Sequence, residues 1–323
     1  MPKRARPTKF APIDVRRVRT YPLRRRKSKV AAGALADVTR AGARVADFLA
    51  ALPDVLAARD LRSIAHTIAT RHRQGRLLVL GMGAHPIKVG LSPLIIDLMR
   101  RGIVTAVAMN GAAIIHDFEM AYHGATSEDV GPGLSDGSFG MAEETGRFLN
   151  TAINAQPAGG IGRAIGTAIG QAKMRYGELS ILAAGAALNI PVTVHVAIGT
   201  DIIHMHPSAD GAAIGAGSLA DFRQLTAIVA KLDRGTFINL GSAVIIPEVF
   251  LKALNLARNL GHRVGRLVTV DMDFIRRYRP TVNVVDRPTA GDGHGYQLTG
   301  HHEIMFPLLY AAILDAQTHK RKR

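Results

Sequence analysis

Histidines and carboxylates gather into three clusters along the chain, and these residue types either move protons near neutral pH or hold divalent metals. The first cluster is His116, Asp117, Glu119 and His123, of which positions 116, 119 and 123 share one face if the segment is helical. The second is Asp201, His204 and His206, and the third is His294, His301, His302 and Glu303, which runs into an apolar segment near Phe306. Glu248 follows Pro247, a residue that suits the first turn of a helix. Two chemistries fit this inventory. One is a divalent metal held by His and carboxylate. The other is acid–base work, with imidazoles near their working range and carboxylates orienting them or holding a cationic substrate. Taken singly, each histidine is an ordinary hydrogen-bonding group; the grouping is what points to function. No HExxH-like spacing occurs, so no metal ligand is assigned. Cysteine is absent, which removes thiol nucleophiles, Cys-ligated zinc and disulfides, and neither a GxSxG elbow nor a Walker A motif is present.

Elements must position these residues, and the apolar runs supply them. Segments 76–81, 104–111, 191–199, 236–241 and 266–271 are short and almost wholly apolar, the form of strands buried on both faces. Helical periodicity marks 33–73, 89–101, 113–122, 142–154, 160–175, 179–189, 218–232 and 247–260. Strands separated by long helical crossovers give an α/β fold with a doubly wound parallel sheet, whose ligands bind beyond the carboxyl ends of the strands. Four strands end in small residues: Gly81-Met82-Gly83-Ala84, Asn110-Gly111-Ala112-Ala113, Gly199-Thr200 and Gly241-Ser242-Ala243. Such turns let a backbone approach a phosphate, although tight strand–helix turns need glycine in any case. A GxGxxxG string at Gly160, Gly162 and Gly166 has no strand before it, and its four-residue spacing reads as close helix packing.

The formal charge of +16 is carried by the tails. Residues 1–30 hold twelve Lys and Arg against one Asp, the last four residues add four cations, and the body between is nearly neutral. A nucleic-acid-binding domain carries its charge on a folded face, so polyanion contact is expected through the tails only. The expected organisation is a basic N-terminal extension (1–32), one α/β domain (33–318) and a basic C-terminal tail (319–323). Residues 16–32 mix cations with Tyr21, Leu23 and Val30, and Arg24, Arg25, Arg26 and Lys29 are candidates to cover a pocket of the same or a neighbouring subunit. No run of apolar residues is long enough to span a membrane and no secretory leader is seen. A soluble cytoplasmic protein is expected.

The order of segments over most of residues 76–318 resembles deoxyhypusine synthase. Thr200-Asp201 stands where that family has a Thr-Asp-Gly loop, with Ile202 replacing the glycine. Gly241-Ser242-Ala243-Val244 is similar to its Gly-Gly-Gly-Val turn, and Pro247 and Glu248 fall at its His-His pair. Asn110-Gly111-Ala112 occupies the place of a Thr-Ala-Gly turn, with Ile115, His116 and Asp117 following where the family has Glu-Glu-Asp. Met305-Phe306-Pro307-Leu308-Leu309 is similar to its terminal Phe-Pro-Leu-Leu helix. The resemblance implies a doubly wound NAD-binding fold and a homotetramer with sites at subunit interfaces. The synthase forms an imine on a lysine in a Trp-Gly-Lys segment; here no lysine lies between Lys252 and Lys320, and tryptophan is absent. Without that amine the covalent intermediate cannot form.

The leading expectation is therefore a deoxyhypusine-synthase-like, NAD-binding enzyme that is not a deoxyhypusine synthase and acts on a small polar substrate by acid–base and hydride chemistry. Its candidate catalytic residues are His116, Asp117, Asp201, His204, Glu248 and Glu303. Gly81, Gly83, Ala84, Asn110, Gly111, Ala112, Gly241, Ser242 and Ala243 are the candidate cofactor contacts. Two alternatives remain open at this level: a metal-dependent hydrolase or lyase using the same clusters, and a non-catalytic binding protein whose tails contact nucleic acid.

Overall fold

The apolar runs form strands because β-branched and small residues suit a surface packed on both sides. A computed structural model describes Phe10 and residues 12–318 of the chain. The elements are α1 (Val45–Ala51), α2 (Leu56–Arg73), β1 (Leu78–Met82), α3 (His85–Lys88), α4 (Ser92–Arg100), β2 (Ala106–Asn110), α5 (Gly111–His123), α6 (Val130–Asp136), α7 (Glu143–Ala155), α8 (Ile161–Ala172), α9 (Ile181–Leu188) and β3 (Val192–His195). They continue with α10 (Gly211–Val229), β4 (Thr236–Leu240), α11 (Ile245–Asn259) and β5 (Val268–Asp273). α12 (Tyr278–Pro280) then runs through a π-helical stretch (Thr281–Asp286) into α13 (Arg287–Thr289), followed by β6 (His294–Thr299) and α14 (His302–Thr318).

The six strands form one sheet in the order β3-β2-β1-β4-β5-β6, and every pairing is parallel. Val79 lies between Ala106 and Phe237, which fixes the central register. The chain builds outward from β1 through β2 to β3, then returns to place β4 on the other side of β1. The switch point thus falls between β1 and β4, where this topology opens a crevice beyond the strand ends. Alternation along the strands sends Leu78, Leu80, Met82, Val107, Met109, Ile238 and Leu240 into one core, with Leu61, Ile64, Ile95 and Leu309 of the covering helices. Val79, Ala106, Ala108 and Phe237 enter the other, against Leu225, Val229, Phe250 and Leu254 of α10 and α11. Phe237 and Phe250 stack there, with ring centroids 3.7 Å apart. Each of the buried Leu, Val, Ile, Met and Phe side chains contributes about 1.5–3 kcal/mol by burial. The two cores hold the strand ends still, and the chemistry-bearing residues sit on those ends.

All five expected strands are present, and a sixth is added. β6 reads His-Gly-Tyr-Gln-Leu-Thr, and of its residues Leu298 is the one fully buried; an edge strand covered this thinly carries no apolar signature. Helix over 33–73 is too generous, since residues 35–44 are irregular and Pro53 separates α1 from α2. Gly162 and Gly166 lie on α8, where a Cβ would collide with the Val192 and Leu182 carbonyl oxygens; the GxGxxxG string is a packing surface, as its spacing suggests. Residues 12–32 lie off the body with their side chains almost all exposed, so Arg24, Arg25, Arg26 and Lys29 cover no pocket of their own chain. Residues 1–9, 11 and 319–323, the outer parts of both basic tails, fall outside the described residues. No described helix is long and apolar enough to cross a membrane.

Candidate functional site

Beyond the carboxyl ends of β2 and β3 lies a cavity of about 220 Å3, lined by Lys88, Ala112, Ile115, His116, Glu119, Ser127, Glu128, Val130, Phe139, Thr200, Asp201 and Ile202. It is built by the first two turns of α5, the loop after β3 and Lys88 at the end of α3. Asn110 starts α5 by accepting a bond from the Ala113 amide at 3.1 Å, which pins the helix to the end of β2. His116 Nδ1 meets Thr126 Oγ1 at 2.7 Å, and the Thr126 hydroxyl donates to Glu119 Oε2 at 2.5 Å. Because the one Thr126 hydroxyl proton goes to Glu119, the Thr126 oxygen accepts from His116 Nδ1–H, giving a chain His116–Thr126–Glu119 that Thr145 closes by donating to Glu119 Oε1 at 3.2 Å. Burial, then the Lys88 cation, lowers the His116 pKa to about 4, so the ring is neutral at pH 7.

Asp201 faces α5 from the other wall. It is 7% exposed, its Oδ2 has no hydrogen-bond partner, and burial raises its pKa to about 6. A Cβ on Gly111 would collide with this carboxylate, so the glycine at the start of α5 is what lets Asp201 sit there. His204 is tied to the same loop: its Nδ1 accepts from the Gly199 amide at 3.1 Å and the Asp201 amide at 3.3 Å. The ring proton must then lie on Nε2, which is buried without a partner. His204 supports the Asp201 loop and does not line the cavity.

The other expected residues go elsewhere. Asp117 is fully buried and accepts from the Ser180 hydroxyl at 2.5 Å and the Ile181 and Leu182 amides at 2.8 and 3.3 Å, capping the N-terminus of α9. Glu248 is bound by Lys252, by Asn283 at 2.9 Å and by Arg279 at 3.2 Å, and the Lys252 bond is the main cause of its lowered pKa. It borders a separate, largely apolar depression of about 390 Å3 between the end of β3, α10 and α11. Glu303 is exposed, 3.8 Å from an exposed His301. His206 bonds the Gly140 carbonyl at 2.8 Å, a loop-holding role.

The glycine turns divide in the same way. Gly81 faces inward, where a Cβ would come within 2.5 Å of Ile246 and 2.7 Å of Phe237, and a Cβ on Gly83 would lie 2.5 Å from the Gly241 carbonyl oxygen. These two glycines let α11 and the β4 turn pack on β1. Ala84 is half-buried at the start of α3. The turn after β4 is different. Ser242 Oγ accepts from the Ile246 amide at 3.2 Å, but the amides of Ser242, Ala243, Val244 and Ile245 reach no acceptor among the described residues. Gly241 takes φ +68°, and a Cβ there would lie 2.6 Å from His302 Cε1.

His302, which Gly241 admits, belongs to a group that the sequence pattern does not reveal. Wholly buried at the head of α14, it meets His85 Nδ1 through its own Nδ1 at 2.8 Å. Its Nε2 faces the Met272 carbonyl at 3.3 Å and Asp273 Oδ1 at 3.6 Å. His85 stands alone among apolar residues just after β1, and Lys88 and Thr126 likewise belong to no cluster in the sequence, whereas Glu119 stands in the first one. The spacing Gly81-x-Gly83-x-His85 could have drawn attention to His85, since it follows a strand end.

A parallel six-stranded sheet with a polar cavity at its strand ends defines a Rossmann-like α/β protein. No protein-family model and no curated protein matches the chain. Solved structures match its fold. ArgZ, an arginine dihydrolase from the ornithine–ammonia cycle in cyanobacteria, superposes with a TM-score of 0.52 at 16% identity, over 80% of this chain and 32% of that one. An assigned LOR/SDH protein from Methanococcus maripaludis S2 gives 0.51 at 16% identity, over 90% and 74%. An assigned deoxyhypusine synthase from Entamoeba histolytica gives 0.51 at 13% identity, over 84% and 94%. AgrE, solved as a ternary complex with ornithine and NAD+, gives 0.52 at 14% identity over 80% and 34%. The chain thus spans about a third of the length of the dihydrolase and AgrE structures. At these identities the likeness establishes the fold, of the deoxyhypusine-synthase and LOR/SDH kind.

Proposed function

We propose that the protein is an NAD-binding enzyme acting on a small polar, amine-bearing molecule by acid–base and hydride chemistry, and that it is not a deoxyhypusine synthase. One observation carries the acid–base part: Asp201 and His116 line one cavity, Asp201 with a buried oxygen that has no hydrogen-bond partner and His116 held through Thr126 to Glu119. Asp201 is raised to about 6 and His116 lowered to about 4. At pH 7 Asp201 is a charged carboxylate with an unpartnered buried oxygen, suited to bind an ammonium or take its proton, and His116 is a neutral imidazole. Positioned proton transfer of this kind contributes about 10²–10⁴-fold to a rate. A volume of about 220 Å3 lies below the roughly 300–1,000 Å3 of sites for drug-sized ligands. It suits a molecule of amino-acid size, with Lys88 placed to meet a carboxylate.

NAD does not fit that cavity, but the donor set of the switch point suits it. The amides of Ser242, Ala243, Val244 and Ile245 lack acceptors at the head of the 15-residue α11, and an N-terminus of that kind favours a diphosphate. These residues would hold the diphosphate; at the head of α5, by contrast, Asn110 caps its own helix, Gly111 packs on the Asp201 carboxylate and Ala112 lines the small cavity, so that turn serves the substrate side. When bound, NAD accepts or returns a hydride. The chain's own part is to orient the amine through Asp201 and to keep His116 neutral. The likeness to AgrE supports this reading.

The metal-dependent alternative lacks a donor set, since no three His, Asp or Glu residues are disposed as ligands among the described residues. A homo-oligomer, tetrameric by the resemblance, is supported by the arm at 12–38, whose Ile13, Val15, Val18, Tyr21 and Leu23 are each more than 60% exposed. Light scattering on the full chain tests this, and a monomer at micromolar concentration would refute it. Calorimetry tests the function. NAD+ or NADH is expected to bind the wild type, with L-ornithine or L-arginine binding to the loaded protein. Asp201→Asn should lose the amine and keep the dinucleotide. Absence of any dinucleotide binding would end the cofactor claim.

A further inference from the structure

A three-residue chain of acid–base groups crosses the switch point, separate from the cavity at β2 and β3. Asp273 ends β5, His302 opens α14 and His85 opens α3 directly beyond β1. Two observations fix where the protons lie. His302 Nε2 faces two acceptors, the Met272 carbonyl oxygen at 3.3 Å and the Asp273 carboxylate at 3.6 Å, so this nitrogen carries a proton. The ring is wholly buried, and burial is the largest influence on it, favouring the neutral form over the pull of Asp273. A neutral ring with its proton on Nε2 has a lone pair on Nδ1. The neighbour at 2.8 Å is His85 Nδ1, which must therefore be the donor. His85 is left with its own lone pair on Nε2.

That nitrogen has no hydrogen-bond partner among the described residues, and His85 is half-buried, so the lone pair is available. The ring is held against rotation by the His302 bond and by Phe274, whose ring lies 5.5 Å from His85 and 5.8 Å from His302. Gly241, at φ +68°, leaves the space that the His302 ring fills. The arrangement is one of oriented imidazoles: a buried carboxylate and a buried His fix the tautomer of a third, reachable base. Its place is the crevice where doubly wound sheets bind ligands.

We propose that His85 is the acid–base residue of this crevice, its Nε2 accepting a hydrogen bond from a hydroxyl or amino group of a small ligand and taking that group's proton in turnover. His302 and Asp273 are positioning residues. The proton leaves the ligand's O–H or N–H for Nε2, and the Nδ1–H of His85 stays on its bond to His302 as the ring becomes cationic. The turnover role rests on the reading of the chain as an enzyme, while the tautomer does not.

The test uses the whole chain labelled with ¹⁵N-histidine and long-range ¹H–¹⁵N correlation at mildly alkaline pH, with His85→Gln assigning the His85 signals. The expected result is His85 with its proton on Nδ1 and His302 with its proton on Nε2. His85 protonated on Nε2 would overturn the proposal. Carbethoxylation by diethylpyrocarbonate, mapped by mass spectrometry, then reads the nucleophilicity of His85. The rate at His85 is expected to fall severalfold in His302→Phe, and by a smaller factor in Asp273→Asn, which keeps the buried ring if the first variant fails to fold. An unchanged rate in a folded variant would also overturn the proposal. Failure of dinucleotide binding would leave the tautomer intact, so the two readings fail separately.

Discussion

Asp117 and Asp201 are both carboxylates that burial raises to about 6, and their surroundings give them opposite uses. Asp117 accepts from one hydroxyl and two amides at the head of α9, so its acceptor capacity serves the fold. Asp201 keeps a buried Oδ2 with no donor, beside a cavity. A raised pKa alone marks burial; unmet hydrogen-bonding capacity together with a cavity beside it separates a candidate site from a structural acid. Asp221, raised to about 7, falls between the two: its Oδ2 accepts from the Gly162 and Val194 amides at 3.0 and 2.9 Å and its Oδ1 is buried without a partner, but it lines neither cavity described above.

The sharpest way to break this comparison is to remove Asp117. Asp117→Ala leaves one buried hydroxyl and two buried amides without an acceptor, at about 1–3 kcal/mol each. The expected loss in urea unfolding is about 4 kcal/mol, with calorimetric ligand binding by any surviving folded protein unchanged. A loss near zero would mean that Asp117 does not cap α9.

An intermediate effect is expected at Gly111. The Cβ of Gly111→Ala must displace the Asp201 carboxylate, a side chain that can move, whereas the Cβ of Gly162→Ala meets the Val192 backbone carbonyl, which cannot. Gly111→Ala should therefore cost about 2 kcal/mol of stability and abolish binding in the cavity. Gly162→Ala should cost more and, where it folds, leave binding intact. Equal binding by wild type and Gly111→Ala would show that Asp201 is not where the ligand goes.

The strands were legible because burial on both faces writes an uninterrupted apolar run, and β1 to β5 follow those runs. β6 was not, since a thinly covered edge strand needs no such run. Of the candidate site residues, Asp201, His116 and the turn at 241–243 stand in the sequence as clustered types at strand ends. The clustering misled at Asp117, Glu248 and Glu303, because nearness in sequence does not say which face of a helix a residue takes. Asp117 follows His116 directly and so points about 100° away from it around α5. His85 and His302 lie 217 positions apart and meet only through the β1–β4 switch, so no local pattern joins them. Gly81 and Gly83 read equally well as phosphate contacts or as packing positions, and only the neighbours Ile246, Phe237 and Gly241 decide between the two.

The smallest expected effect concerns pH. Asp201 has a folded pKa near 6 against 3.8 for the free side chain, so between those values the folded state binds more protons than the unfolded state. Stability from this group is full below about pH 4 and is lost as pH rises through about 6. His116 acts in the other sense: lowered from 6.5 to about 4, it makes the folded state gain stability as pH rises over that window. The two oppose each other in the wild type, which hides both. Asp201→Asn removes one and leaves the other, so the variant's stability minus that of the wild type isolates Asp201. The difference is expected to rise by roughly 1 kcal/mol from pH 4 to pH 6 and to level off above it, less than the full shift because a cavity wall retains some solvation. Asp117→Asn should show a similar rise over the same window, but on top of a pH-independent loss from the missing cap. A difference for Asp201→Asn that stays flat in thermal unfolding from pH 4 to pH 7 would place the Asp201 carboxylate in water, and with it would go the argument that its unmet oxygen awaits a ligand.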